Sequence, residues 1–374
     1  MRLRSTTALA ACTAVAILAA IGTPARAAGG TFGVFPGVLT RAEMSQRLNT
    51  LMLRPAARPG ALRGMSTYRG VPPVRTRKAK VAGWVSDGFG YIWGLNAAGK
   101  VVSYHDDCVE PGAGRVDHAG NLVVSCTVGG QFNGIPGNVN VYKAGNTRAP
   151  ADIVLTDSNG GLPFDAFEDN AGNIYAVNAV NLACGPSGCS ESPGNIVRWS
   201  VGNQSSGALP DTTYTDPNLF QIQSADIDAG GTIYLDGFDA SFAPEVDSLS
   251  GGTATDLNIS IVYPGGVYVV SPNGTAPALS LLDQIGTSGG TLYQFALPIS
   301  PSASPIVNEA TPQDFEHRCD PVAAGYATGG AEASLGLDGC KAMADGSPAT
   351  DQWKVRLNLD YVEPFQGLFV PSDK

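Results

Sequence analysis

The sequence predicts an all-β protein, on three observations. The 374 residues include 47 Gly and 26 Pro but only 15% charged residues, so turn formers separate many short apolar runs. That is the profile of strands joined by tight turns. A short pattern also recurs: "DGFGYIWGL" at Asp87, "DHAGNLVVS" at Asp117, "DNAGNIYAV" at Asp169, "DAGGTIYLD" at Asp228, and a weaker "TSGGTLYQF" at Thr287. Finally, four of these five copies precede a second strand-like run: "GKVVSYHDD" from Gly99, "GNVNVYKAG" from Gly137, "GNIVRWSVG" from Gly194 and "GGVYVVSPNG" from Gly265.

Each copy has a local physical logic. The Asp side chain can accept hydrogen bonds from backbone just beyond it, and the Gly supplies the positive φ of a tight turn. Ile, Leu, Tyr or Val then suit a half-buried pleated strand. The turn glycines Gly90, Gly120, Gly172, Gly231 and Gly290 are spaced by 30, 52, 59 and 59 residues. A repeat of that length carrying several strands signals a β-propeller, in which sheets packed radially bury one another's faces. Six blades are expected, within a range of five to seven, and a closed ring requires chain near Val81 to meet chain near Phe369. The turns are expected to feed inner strands. The inserts Asn178 to Pro193 and Gly237 to Pro264 are expected as loops. Pro298 to Thr350 shows little periodicity, whereas "WKVRLNLDYV" from Trp353 alternates like a strand of the last blade.

The first 80 residues read differently. Arg2 and Arg4 precede an apolar run from Ala8 to Ile21, and Ala25-Arg26-Ala27 fits a small-x-small cleavage site. Residues 1–27 therefore read as a Sec-type signal peptide, giving a secreted or periplasmic protein. Leu9-Ala10-Ala11-Cys12 resembles a lipobox, but the apolar run continues beyond Cys12, against a lipoprotein. No second apolar stretch has membrane length. Residues 28–80 carry ten Arg/Lys and one acid, formally +9, against −22 for residues 81–374. This basic extension either lies on its own acidic body or makes a weak contact with an anionic surface. It holds one helix signal, residues 41–53, where Thr40 and Glu43 form a capping box and Met44, Leu48, Leu51 and Met52 share a face before Pro55. Nucleic acid is not an expected partner, because only Tyr68 among the aromatics interrupts the basic stretch.

Six cysteines follow the signal segment: Cys108, Cys126, Cys184, Cys189, Cys319 and Cys340. In an exported chain they favour disulfides, most simply between near neighbours in that order. "CGPSGC" could instead be half of a zinc site.

"DNAGNIYAV" and its partner "GNIVRW" resemble the blade signature of the NHL, SMP-30/gluconolactonase and streptogramin-lyase-like propellers, over residues 81–294. The resemblance implies a propeller. For the lactonases it also implies one divalent cation (Ca, Zn, Mn or Mg) held by Glu, Asn and Asp at the channel mouth. The column eight residues before the turn glycines holds Ala82, Gly112, Phe164, Gln223 and Leu282, without a carboxylate. The nearest acids are Asp165 and Asp283, seven before their glycines, and Glu110, ten before. These three are the candidate metal ligands. The lyase resemblance implies a channel His. His317, in "DFEHRC", is the candidate general base, while His105 and His118 read as solvated loop residues. "DSNGG" and "DIDAGG" lack the closing Glu of a calcium loop and read as turns. Asn203, Asn258 and Asn273 begin glycosylation sequons. Two functions are expected from this inventory. One is an exported propeller that binds a protein or small-molecule ligand without chemistry. The alternative is a metal-dependent lactonase or lyase with a rearranged channel site.

Overall fold

The sheets follow one another along the chain. In the computed structural model the first contains β1 (Gly83–Ser86), β2 (Ile92–Leu95) and β3 (Val101–His105). The second is β4 (Pro111–Val116), β5 (Leu122–Cys126), β6 (Gly137–Tyr142) and β7 (Ile153–Asp157). The third is β8 (Gly161–Glu168), β9 (Ile174–Gly185), β10 (Gly188–Trp199) and β11 (Thr212–Tyr214). The fourth is β12 (Gln221–Ile227), β13 (Ile233–Phe238), β14 (Pro244–Ser250) and β15 (Thr253–Asp256). The fifth is β16 (Pro264–Val270), β17 (Ala278–Gly286), β18 (Gly289–Ala296) and β19 (Val307–Ala310). A three-stranded sheet of β20 (Asp320–Tyr326), β21 (Ala333–Asp338) and β22 (Ala344–Asp345) comes next. The last strand, β23 (Gly367–Phe369), returns to pair with β1 and gives the first sheet its fourth strand.

The structure describes residues 80–86, 91–96, 101–108, 111–117, 119–126, 137–157, 161–185, 188–262, 264–270, 277–286, 289–310, 320–326, 333–338, 344–345 and 367–369. All belong to the compact unit Val34–Lys374; the other unit, Met1–Gly33, lies outside them. The expected signal peptide, the helix at 41–53, His118, Glu110, His317, Cys319, Cys340 and the "WKVRLNLDYV" strand also lie outside the described residues.

The strands β4, β8, β12, β16, β20 and β23 head their sheets, and each contacts the next around a closed circuit. This is a β-propeller. Five four-stranded blades and the three-stranded sheet fall within the expected range of five to seven. The ring closes where the sequence requires it: Trp84 pairs with Phe369, Val85 with Leu368 and Ser86 with Gly367.

The cores lie between sheets. Val123, Val139 and Val141 of the second sheet pack with Ala166, Ile174, Ala176 and Trp199 of the third. On the other side of β5, Leu122, Val124 and Cys126 pack with Trp84 and Ile92 of the first. Alternate residues of one strand thus feed two interfaces. Both faces are buried, so the strand reads as an apolar run interrupted only by the buried Ser125. Tyr175 and Val177 of β9 likewise face Ile222, Ile233 and Leu235 of the fourth sheet.

The repeated motif is a turn. Asp169 Oδ1 accepts the N–H groups of Ala171 and Asn173, both at 2.9 Å, and Oδ2 accepts Asn173 Nδ2 at 2.8 Å and Tyr175 OH at 3.0 Å. Asp228 repeats this with Gly230, Thr232 and Tyr234. Gly172 and Gly231 adopt φ of +83° and +82°, the left-handed region a side chain would strain.

Four sequence expectations need correction. In the second to fourth sheets the turn follows the innermost strand and feeds the second one, not an inner strand. The first and fifth copies lie one hairpin further out, between second and third strands. The insert Gly237 to Pro264 is no loop, since it carries β14 and β15, and "GGVYVV" is the innermost strand of the next sheet. Asn178 to Pro193 is a continuation of the β9–β10 hairpin, paired from Asn178↔Asn195 out to Gly185↔Gly188. Strands β19 to β22 also occupy the stretch without periodicity. Their Ala and Gly content ("DPVAAGY", "ASLGLD") has low intrinsic strand preference, and sheet partners supply what propensity does not.

Candidate functional site

Near the centre of the ring, charged side chains from the second, third and fourth sheets join backbone groups of the fifth in one network. Arg115 on β4 makes a two-pronged ion pair with Asp165 on β8, Nη1 to Oδ1 at 2.9 Å and Nη2 to Oδ2 at 3.0 Å. The same guanidinium donates to Val267 O at 3.1 Å on β16, and lies 4.5 Å from the ring centre of Tyr268. Asp165 is fully buried, and its Oδ2 also accepts Ser224 Oγ of β12 at 2.6 Å. Ser224 Oγ in turn accepts the Val267 N–H at 3.2 Å.

Two further acids tie the fourth sheet to the fifth. Asp236 accepts Ser224 N–H at 2.9 Å and Gly266 N–H at 3.0 Å, and Asp226 accepts Val269 N–H at 2.8 Å. The reason is geometric. An innermost strand has a ladder partner on one side only, so the N–H groups on its other edge need acceptors. Side chains of the neighbouring sheet supply them.

Burial disfavours the Arg115 cation, but Asp165, Tyr268 and Asp226 outweigh it and hold Arg115 further above its ordinary range. Burial pushes the Asp165 carboxyl up, against the opposing pull of Arg115 and Ser224. Burial also pushes Asp236 up to about 7, opposed by the Gly266 and Ser224 N–H groups and reinforced by the charge of Asp165. A carboxyl with a folded pKa above its unfolded value of ~4 binds its proton more tightly in the folded state. Its contribution therefore grows as pH falls through about 7 toward ~4 and is absent above that window. The expected result is a melting temperature that rises between about pH 7.5 and about pH 5.5. A flat or falling profile in thermal melts would count against this assignment.

The predicted residues are placed as follows. Asp165 faces the inner ring with the cation Arg115 as its partner. Asp283 lies on β17, the second strand of its sheet, where its Oδ2 accepts Val262 N–H at 3.0 Å. Asp165 and Asp283 shared a sequence column only because the fifth turn copy lies one hairpin further out. Among the described residues no three His, Cys, Asp or Glu side chains stand in metal-holding geometry. His105 is not a solvated loop residue: it is 1% exposed, with ring centroids 4.9 Å from Trp84 and 4.0 Å from Tyr142. Cys108 and Cys126 form a disulfide that closes a separation of 18 residues, and the β9–β10 register sets Cys184 opposite Cys189. Sequence reading missed Arg115, Ser224, Asp226 and Asp236. A signal was present for three of them: Arg115, Ser224 and Asp226 are polar residues two or four places before a turn Asp, on the strand that leads into it.

A fourth turn of the same chemistry lies at the opposite end of the fourth sheet. Asp239 accepts the N–H groups of Ser241 and Ala243 at 2.7 and 2.8 Å, and Phe242 N–H donates to Asp239 O. Where the sister turns carry Gly, this one has Phe242 at φ +63°, with the side chain 53% exposed. A bulky residue in that region is strained by roughly 1–2 kcal/mol. Phe242→Asn, which tolerates the conformation, is expected to raise stability by about 0.5–1 kcal/mol in chemical denaturation. An unchanged or lower midpoint would refute the strain.

The closed ring and its inter-sheet cores place the chain among the β-propellers. Comparison with known proteins agrees at that level. The chain is similar to a protein of unknown function from Bacteroides caccae, with TM-score 0.50 and 9% identity over 77% of this chain and 97% of that one. It is also similar to a chain of the nidogen/laminin complex, with TM-score 0.47 and 11% identity over 77% and 97%. The β-propeller domain of Cps50 (Swd1) from Myceliophteria thermophila gives TM-score 0.43 and 8% identity over 74% and 87%. At such identities the likeness concerns fold alone. No protein-family model matches the sequence, and no curated protein matches it.

Proposed function

We propose that this chain is an exported propeller that binds a partner through the rim where β13 turns into β14, and that the ring-lining charges serve the scaffold. The observation that carries this reading is Phe242. A strained, half-exposed aromatic stands where three sister turns place Gly. Strain at a surface position with a ready unstrained alternative points to use rather than stability. An exposed aromatic at a turn on a rigid scaffold is also a good contact residue. The same end of the blades carries the extended β9–β10 hairpin and exposed Val262, which precedes β16.

In contrast, the charged groups of the inner ring are engaged with one another. Arg115, Asp165, Ser224, Asp226 and Asp236 all serve ion pairs or backbone donors between sheets. A lactonase or lyase would have to release some of them to hold a cation or move a proton.

A photo-crosslinking residue placed at 242 in the expressing cell tests the proposal, with Leu209 as control. Leu209 is 53% exposed and lies between β10 and β11, at the other end of the blades. The binding reading expects a discrete adduct from position 242 and none from 209. It is overturned by equal or absent adducts, or by turnover of simple lactones that Asp165→Asn abolishes.

A further inference from the structure

The β9–β10 hairpin outgrows its sheet. Its strands run 12 residues each, against 6 and 7 for β13 and β14, the matching pair of the fourth sheet. β8 pairs with β9 only as far as Asn181, and β11 pairs with β10 only from Ile196. Beyond those points, Leu182 to Gly185 and Gly188 to Glu191 have no strand beside them but each other. Ala183 and Ser190 to Pro193 are exposed.

A two-stranded ribbon alone is marginally stable in water, because a single ladder must offset the entropy of ordering both strands. The side chains add little here: Ser190 Oγ donates to Ala183 O at a long 3.4 Å. Without a further tie the ribbon would fray from its tip. The register supplies one. It sets Cys184 directly opposite Cys189, one pair in from Gly185↔Gly188. Directly opposed residues of antiparallel strands have Cα atoms ~4.5 or ~5.5 Å apart, according to the kind of pair. Disulfides span ~4.4–6.8 Å between Cα atoms, so either kind of pair can be bridged. Two thiols are only half of the ligands that a structural zinc site takes.

We propose that Cys184 and Cys189 form a cross-strand disulfide, and that this bond is a reducible clamp on the ribbon Leu182–Glu191. A disulfide-class oxidant, such as oxidised glutathione, drives its formation. One cysteine thiolate attacks the S–S bond of the oxidant and expels a thiolate. The other cysteine then attacks the mixed disulfide and expels the second. The two cysteines lose two protons and two electrons, and the oxidant ends as two thiols. A dithiol reductant reverses both steps. The Cys108–Cys126 bond is the internal contrast, since each of its residues is only 2% exposed. Exchange requires a thiolate to reach sulfur, so the buried bond persists under conditions that open the ribbon bond. The clamp rests on the hairpin register and is independent of the role given to Phe242.

Peptide mapping of the purified full chain, equilibrated with oxidised glutathione, tests the pairing. Residues 149–198 hold Cys184, Cys189 and no other cysteine, with no Lys or Arg before Arg198. This tryptic peptide should arrive whole, lighter by two hydrogen atoms than its reduced form and without alkyl label. After mild dithiothreitol under native conditions it should carry two labels, with Cys108 and Cys126 still unlabelled. The clamp is read by a Glu-specific protease that cuts after Glu191. Reduction should speed that cut at least ~10-fold. The double variant Cys184→Ser, Cys189→Ser should be cut at the fast rate with or without reductant. The pairing is overturned if the peptide takes two labels before reduction, with or without a bound zinc ion, or is joined to a peptide holding Cys319 or Cys340. The clamp is overturned if cleavage after Glu191 is equally fast in both redox states, or if Cys108–Cys126 opens first.

Discussion

Replacing Arg115 with Ala is expected to destabilise the propeller by roughly 3–5 kcal/mol, because it leaves the buried Asp165 charge without its cation. The loss extends beyond the pair. Gly114 O and Val267 O lose their Nη donors, and Tyr268 loses the guanidinium above its ring. Ser224 and the Ala166 N–H would remain as the hydrogen-bond donors to Asp165. Denaturant melts should show the fall as a lower midpoint with little change in slope. The informative companion is Arg115→Met with Asp165→Leu. Removing both charges together removes the desolvation penalty, so the double variant should recover most of the loss. If it is as unstable as Arg115→Ala, the damage lies in packing around β4 and not in the stranded carboxylate.

Deleting residues 367–374 should have a comparable or larger effect. The deletion removes β23, which pairs with Trp84, Val85 and Ser86 and stands between β20 and β4 in the inner circuit. The first sheet would keep β1 to β3 but present an unpaired inner edge, and Trp84 and Ile92 would lose the frame that holds them against the second sheet. A melting temperature lower by about 10 °C or more is expected, or loss of a single cooperative transition. A peptide spanning residues 363–374, added in excess, should partly restore the transition by adding itself as a strand. Deleting only residues 371–374 should change little. A truncated chain that melts like the full one would show that the ring does not need this closure.

The turns were legible in the sequence because their chemistry is local. Asp169, Gly172 and Asn173 contain nearly everything their turn needs, so a repeated Asp-to-Gly pattern announced both the turn and the array. Ring closure was legible for a similar reason, since a propeller has only one place for its last strand. The ion pair was not. Arg115 and Asp165 are 50 residues apart on different sheets, and only the radial packing brings them together. His105 failed for the same cause: its position after a strand suggests solvent, but Trp84 and Tyr142, from two different sheets, enclose it. Asp165 and Asp283 were aligned by counting from glycines that proved to occupy different hairpins. The strands β20 to β22 were hidden because Ala- and Gly-rich chain is held there by its sheet partners, not by propensity.

Ring closure also sets an order in time. The sheet begun first, β1 to β3, is completed last, by a strand almost 300 residues further along the chain. A chain emerging N-terminus first therefore carries an open slot beside β1 until residues 367–369 appear. A mature propeller cannot lock while its end is still being made. An interrupted chain would instead keep a strand-shaped vacancy, ready to accept a neighbour's last strand.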